Sequence, residues 1–161
     1  MISTGQQVPS VTIEQATEAG ITEVDVAKLF EGKKVVVFSL PGAFTYTCST
    51  KHLPGFVAKL PELQAQGVDL VACLSVNDGE VMKAWGEQHG ALGKIVMLAD
   101  GSAALSKALG IDVDRTKDHM GIRCRRGMMV FEHGVLTSID IETPGKFEVS
   151  SAEACVVKVK K

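Results

Sequence analysis

A short apolar run, Val35-Val-Val-Phe38, is closed by Pro41-Gly42 and gives way to Ala43-Phe-Thr-Tyr-Thr-Cys48 and then Ser49-Thr-Lys-His-Leu53. The run is β-branched and brief, which reads as a buried strand. Proline and glycine end it, and Thr47 suits the cap of a helix that starts near Cys48. A cysteine in a first helical turn meets unpaired N–H groups and the positive end of the peptide dipoles, which favour a thiolate. A nucleophilic thiolate on a strand-to-helix turn implies thiol chemistry, and any fold for this chain has to present that turn.

The remaining elements alternate around it. Val8–Ile13 reads as a first strand and Val24–Phe30 as a short helix stopped by Gly32. The helix after Cys48 should extend to Gln66, bent or interrupted by Pro54 and Pro61, with Gly67 as its stop. Val68–Val76 is a second buried strand, and Asn77-Asp78 can cap a helix carrying Met82, Trp85 and Gln88. Lys94–Leu98 is a third strand, and Ser102–Leu109 a third helix that Gly110 stops. Residues 111–121 have no period and read as an irregular loop. Arg123–Phe131 and Val135–Ile141 flank a short turn as a β-hairpin, and Ser150-Ser-Ala-Glu153 is a capping box for a last helix. This order predicts an α/β fold with a central mixed β-sheet flanked by helices, the thioredoxin-like arrangement. With no linker, repeat or low-complexity tract in 161 residues, a single domain over 1–161 is expected.

Totals narrow the function. A net charge of −2 gives no argument for nucleic acid or an anionic membrane surface, and no run approaches the roughly 20 apolar residues of a membrane span. Met1-Ile-Ser-Thr-Gly5 lacks a secretory core and an arginine-rich transit pattern. Cytoplasmic residence is therefore expected, although a trimmed organellar form would show the same sequence. Cys48, Cys73, Cys124 and Cys155 show no zinc spacing, and metal, haem, flavin and phosphate-loop motifs are missing, so no cofactor is expected.

Pro41-x3-Thr45-x2-Cys48 resembles the peroxidatic motif of peroxiredoxins. The longer string PGAFT-Y-TCSTKHLPGF is similar to the type II (peroxiredoxin-five-like) branch, with Tyr46 where that branch usually has proline. The resemblance continues through Ser75-Val-Asn-Asp78, Val81-Met-Lys-Ala-Trp85 and Arg123–Arg126, and so covers nearly the whole chain. It implies a thiol peroxidase that reduces hydrogen peroxide and alkyl hydroperoxides through a Cys48 sulfenic acid. Glutaredoxin with glutathione, or thioredoxin, would recycle it, and a homodimer would serve antioxidant defence. Arg126, before an apolar strand, matches the arginine that contacts thiolate and peroxide; Arg123 and Arg125 read as a solvated face. Thr45 can accept from the peroxide or donate to the thiolate, and Pro41, rigid and without an N–H, walls off the sulfur.

The branch's C-terminal resolving position falls near Ser150, so that route looks absent here. Cys73 matches a second cysteine of plant-type members, though inside a core strand. Cys124 lies two residues before Arg126 and on one strand would share its face. Both are candidate resolving thiols, with a packed core thiol as the alternative for each; Cys155 reads as buried. His52, four residues after Cys48, has the spacing of a thiol–imidazole pair and is read as supporting the site rather than as its base. A redox-sensing or chaperone-like binding protein could use the same Cys48 without turnover. A thiol–disulfide oxidoreductase is disfavoured by Thr45 in place of the first cysteine of C-x-x-C. Tyr46 is expected to alter the rim of the site or a dimer contact rather than the nucleophile.

Overall fold

The computed structural model describes residues 1–160. Its centre is the set of near-continuous apolar runs, β3 (Lys34–Ser39), β4 (Leu70–Ser75) and β5 (Val96–Ala99). They pair in parallel, with Phe38 opposite Cys73 and Cys73 opposite Met97. Val36, Phe38, Val71 and Cys73 join one apolar cluster, and Val35, Val37, Ala72 and Leu74 the other. Burial on both faces is why these strands show no polar alternation.

Antiparallel strands extend the sheet on both sides. β1 (Thr12–Thr17) pairs with β5 and with β2 (Gly20–Asp25); β8 (Gly127–Glu132) pairs with β3 and with β9 (Val135–Ile141). The order is β2-β1-β5-β4-β3-β8-β9. α2 (Leu53–Ala65), α3 (Gly79–Gln88) and α5 (Ala152–Val159) cover one face through Phe56, Met82, Trp85 and Cys155. α1 (Val26–Phe30) and α4 (Ala104–Leu109) cover the other through Phe30, Leu105 and Leu109. Each such side chain, fully buried, contributes about 1.5–3 kcal/mol. The result is a thioredoxin-like, single-domain mixed sheet flanked by helices, as expected.

Several boundaries differ. The first strand begins at Thr12 rather than Val8, and β2 occupies residues where a helix was expected to begin at Val24. Asp25 instead ends that strand and caps α1, accepting from Ala27 N at 2.9 Å. Residues 111–121 are not all loop: β6 (Asp112–Asp114) pairs with β7 (Ile122–Cys124) as a separate two-stranded sheet. The expected strand from Arg123 to Phe131 is therefore broken at Arg125-Arg126, and Cys124 and Arg126 do not share a strand face. The last helix is capped by Ser151, whose Oγ accepts from Ala154 N, which leaves Ser150 free for a buried contact.

Candidate active site

Between β3 and the helix, the Pro41–Thr45 loop is fastened to the end of β4. Asn77 Oδ1 accepts from Ala43 N at 2.9 Å and from the Ser75 hydroxyl. Gly42 O accepts both from Thr45 N at 3.3 Å and from the Thr45 hydroxyl at 2.7 Å. These bonds bracket Phe44, which sits in the left-handed region at φ 65°. A Cβ on Gly42 would lie 3.0 Å from Arg123 Nη1 and 3.1 Å from Thr45 Cγ2, so any larger residue would have to push these side chains aside. Arg123 is half-buried rather than solvated: Nη1 donates to Pro41 O and Val76 O at 3.3 Å each, and Nε to Met120 O at 2.9 Å. It braces the wall that Pro41 forms.

Helical backbone begins at Tyr46, and Thr47 (φ −63°, ψ −37°) already lies inside it without a capping bond, contrary to expectation. Cys48–His52 then wind as one π-turn, with Leu53 N donating to Cys48 O, before α2 begins. Pro54 accounts for the widening: it has no N–H for Thr50 O, and its ring would clash with that carbonyl in a regular α-turn. The wide turn aims Cys48 and His52 the same way, and both are 0% exposed. Tyr46, by contrast, is 79% exposed.

The charge beside the sulfur comes from Arg126, at the break before β8. Its Nη2 donates to Cys48 Sγ at 3.2 Å, and its Nη1 donates to His52 Nδ1 at 2.9 Å. Arginine has no acceptor, so Nδ1 must accept, and the proton sits on Nε2, which donates to Ser150 O at 2.9 Å. Burial first, and then the charge of Arg126, push His52 down to about 3 against the Ser150 carbonyl. His52 is therefore a neutral prop for the guanidinium. The Phe147 ring lies 5.8 Å from Arg126 Cζ and 5.1 Å from the His52 ring, and covers both.

Glu142 places the Ser150 carbonyl. Its Oε2 accepts from the N–H groups of Glu148, Val149 and Ser150 at 2.7, 2.9 and 2.8 Å, and from the Ser150 hydroxyl at 2.7 Å. Its own N–H donates to Arg126 O at 2.9 Å. Burial acts to raise the Glu142 carboxyl, but the Ser150 hydroxyl and the three amides outweigh it and hold it below its ordinary value. Glu142 and Phe147 escaped sequence reasoning, and Asn77 was read only as a helix cap and not as a tie to the Cys48 loop. An acid followed by Thr143-Pro-Gly145 looks like any solvated turn, and nothing in the string announces that its carboxylate points inward.

The other thiols are buried and unpaired. Cys73 lies in the middle of β4 and joins the apolar cluster that holds Cys48. Burial pushes its thiol well up, and Cys48 and Cys124 add to the effect. Cys124 belongs to the cluster on the other face of the sheet and donates to Leu40 O at 3.0 Å; burial pushes it to about 12. Burial likewise pushes Cys155 to about 12. Among the described residues no group of three or more His, Cys, Asp or Glu converges as a metal site, and no helix is long and apolar enough to cross a membrane.

Comparison with known proteins adds the following. The redoxin family profile matches residues 3–156. Peroxiredoxin-2E-2, chloroplastic, of Oryza sativa subsp. japonica is 44% identical over 158 residues, covering 94% of this chain and 70% of its own length. Peroxiredoxin-2C of Arabidopsis thaliana is 41% identical over 153 residues, covering 94% of each chain. Reduced Prx3 from Vibrio vulnificus, solved in complex with hydrogen peroxide, superposes with a TM-score of 0.94 at 47% identity over 99% of both chains. Peroxiredoxin 5 from Alvinella pompejana superposes with a TM-score of 0.87 at 28% identity over 99% of both chains.

Proposed function

The chain belongs to the redoxin family and within it to the peroxiredoxins, which are thiol peroxidases, and we propose that it is of the type II kind, with Cys48 as its peroxidatic residue. The observation that carries this is the Arg126 guanidinium 3.2 Å from the Cys48 sulfur, inside a closed strand-to-helix turn. A donor fork that is always charged can hold sulfur and a peroxide oxygen together while charge moves from one to the other.

In the first half-reaction the Cys48 thiolate attacks the near oxygen of ROOH. An S–O bond forms, the O–O bond breaks, and RO⁻ departs and takes a proton from solvent to become alcohol or water, so that Cys48 becomes a sulfenic acid. The Thr45 hydroxyl proton is committed to Gly42 O, so toward the pocket its oxygen can only accept, and it orients the peroxide O–H. Pro41, braced by Arg123, keeps water from the sulfur.

In the second half-reaction an external thiol takes the sulfenic oxygen as water. Glutaredoxin with glutathione, or thioredoxin, supplies it. An internal route through Cys73 would need the π-turn to unwind, and Cys124 sits across the sheet, so neither is the working resolver. A homodimer seated on the exposed Phe44 and Tyr46 fits their 51% and 79% exposure, and Tyr46 then tunes that contact or reductant access. Four unpaired cysteines suit a reducing compartment such as the cytoplasm.

The test is peroxide consumption with the glutaredoxin/glutathione and thioredoxin systems run side by side. Cys48→Ser should consume none with either donor. Cys73→Ala, Cys124→Ala and Cys155→Ala should each keep turning over with glutaredoxin. Loss of turnover in Cys73→Ala with every donor would replace this reading by a two-cysteine cycle. A wild type that stops after one equivalent would make the protein a sensor.

A further inference from the structure

Residues 35–40 are all buried, and Ser39 is the only polar one among them. Alternation along β3 puts Ser39 on the face of Val35 and Val37, under α1 and α4, whereas Val36 and Phe38 face the side that holds Cys48. A hydroxyl buried among apolar side chains is costly unless it is bonded. The Ser39 Oγ donates to Arg125 O at 2.8 Å. Pro41 is the reason that this carbonyl needs a side-chain donor. β3 and β8 pair antiparallel, with Val37 opposite Met129 and Ser39 opposite Gly127, and the same register carried two residues further would set Pro41 opposite Arg125. Proline has no N–H, so it cannot donate to Arg125 O as a ladder partner would. The Arg125 N–H turns elsewhere, to Ile111 O at 2.8 Å. The peptide planes on both sides of the Arg126 Cα are thereby pinned. The plane before it carries Arg125 O, held by Ser39; the plane after it carries Arg126 O, which accepts from Glu142 N at 2.9 Å. With both planes fixed, the Cα–Cβ direction of Arg126 is fixed, and its guanidinium reaches Cys48 Sγ at 3.2 Å and His52 Nδ1 at 2.9 Å.

We propose that Ser39 is a positioning residue for the peroxide step: from the far face of the sheet, its hydroxyl fixes the Arg125–Arg126 peptide and so aims the Arg126 guanidinium at Cys48. The inference rests on the peroxidase reading above. Ser39 lies across the sheet from Cys48, so it acts through the backbone and touches neither sulfur nor peroxide. His52, held by Ser150 O, steadies the guanidinium at its tip; Ser39 steadies its root. A tilt of the root peptide is magnified along the arginine side chain, and a displacement of about an ångström at the reacting atoms slows a reaction by up to about a hundredfold.

The experiment compares Ser39→Thr, which keeps the hydroxyl, with Ser39→Val, which has the same shape without it. Stopped-flow mixing of each reduced protein with hydrogen peroxide gives the rate of Cys48 oxidation, and iodoacetamide alkylation against pH gives the thiolate titration. Ser39→Val should react with peroxide about tenfold more slowly than Ser39→Thr, and its alkylation profile should shift toward higher pH. Ser39→Ala, which cannot overpack the site, should repeat the Ser39→Val result. In an Arg126→Met background the Thr and Val variants should differ by less than about twofold, because the residue through which Ser39 acts is gone. Ser106→Ala controls for lost stability alone. Its hydroxyl is as deeply buried and donates to Asp100 Oδ2 at 2.7 Å at the start of α4, and its loss should leave the peroxide rate unchanged. Urea unfolding of every variant ensures that the rates are read on folded protein. Equal rates and profiles in all three Ser39 variants would overturn the proposal, while a wild type that reacts with peroxide keeps the peroxidase reading. A Thr–Val difference that persists in full without Arg126, or an equal slowing in Ser106→Ala, would overturn it as well. A wild type inert toward peroxide would end both.

Discussion

Protonating His52 would set two cations, its imidazolium and the Arg126 guanidinium, 2.9 Å apart in a buried site. The ring is held neutral, with its folded value pushed to about 3, whereas the unfolded chain has an ordinary histidine near 6.5. The unfolded state therefore binds the proton first as pH falls. The contribution of His52 to stability is complete above 6.5 and is lost as pH drops from there toward 3, at up to about 1.4 kcal/mol per unit. Urea unfolding at pH 7.5 and 5.5 should show the wild type losing about that amount, while His52→Gln, which cannot titrate, loses much less. Equal losses in the two proteins would mean that His52 is not buried neutral against Arg126. The spacing Cys48-x3-His52 suggested a pair in sequence, but only the π-turn and the Ser150 carbonyl reveal that the ring faces the arginine and not the thiol.

The segment from Glu142 to Ser150 has no helix or strand, and four of its groups bond to one side chain, Glu142. It holds the His52 prop from outside the helix, so it positions Arg126 without touching peroxide. Glu142→Ala should release the segment and slow the reaction of Cys48 with peroxide by about tenfold to a hundredfold, since misplacing a charged group by an ångström has that effect. Glu142→Gln, whose amide oxygen can accept from the same N–H groups, should restore most of the rate. Stopped-flow mixing with peroxide reads both variants. A loss in Glu142→Gln as deep as in Glu142→Ala would show that charge, not positioning, matters there.

Legibility also divides by element. β3, β4 and β5 were plain because burial on two faces leaves an uninterrupted apolar run. β1 was caught only at its start, where the expected strand Val8–Ile13 overlaps it, and β2 was missed, because both lie at one side of the sheet with few fully buried residues. Pro54 was the visible cause of the π-turn, yet a proline two residues into a helix is equally common without one. The break at Arg125-Arg126 was hidden because the flanking strands continue in sequence, and only their pairing with different partners separates them. Cys48 and Arg126, expected together from the sequence, do meet in the structure, while the supports supplied by Asn77, Glu142 and Phe147 come from distant loops.

For the molecule as a whole, four thiols are buried in one domain, and only one has a cation on its sulfur. Cys73 shares a core with Cys48 but has no such donor, Cys124 donates a hydrogen bond to Leu40 O, and Cys155 is buried on the inner face of α5. Chemistry should therefore be confined to one position in the folded protein. The most direct measurement mixes reduced protein with one equivalent of hydrogen peroxide in the presence of a sulfenic-acid-reactive 1,3-diketone, and maps the adduct by mass spectrometry. The account predicts one adduct per chain, at Cys48, and its formation slowed by orders of magnitude in Arg126→Met. An adduct at Cys73, Cys124 or Cys155 in the folded wild type, or an Arg126→Met protein that reacts at the wild-type rate, would contradict it.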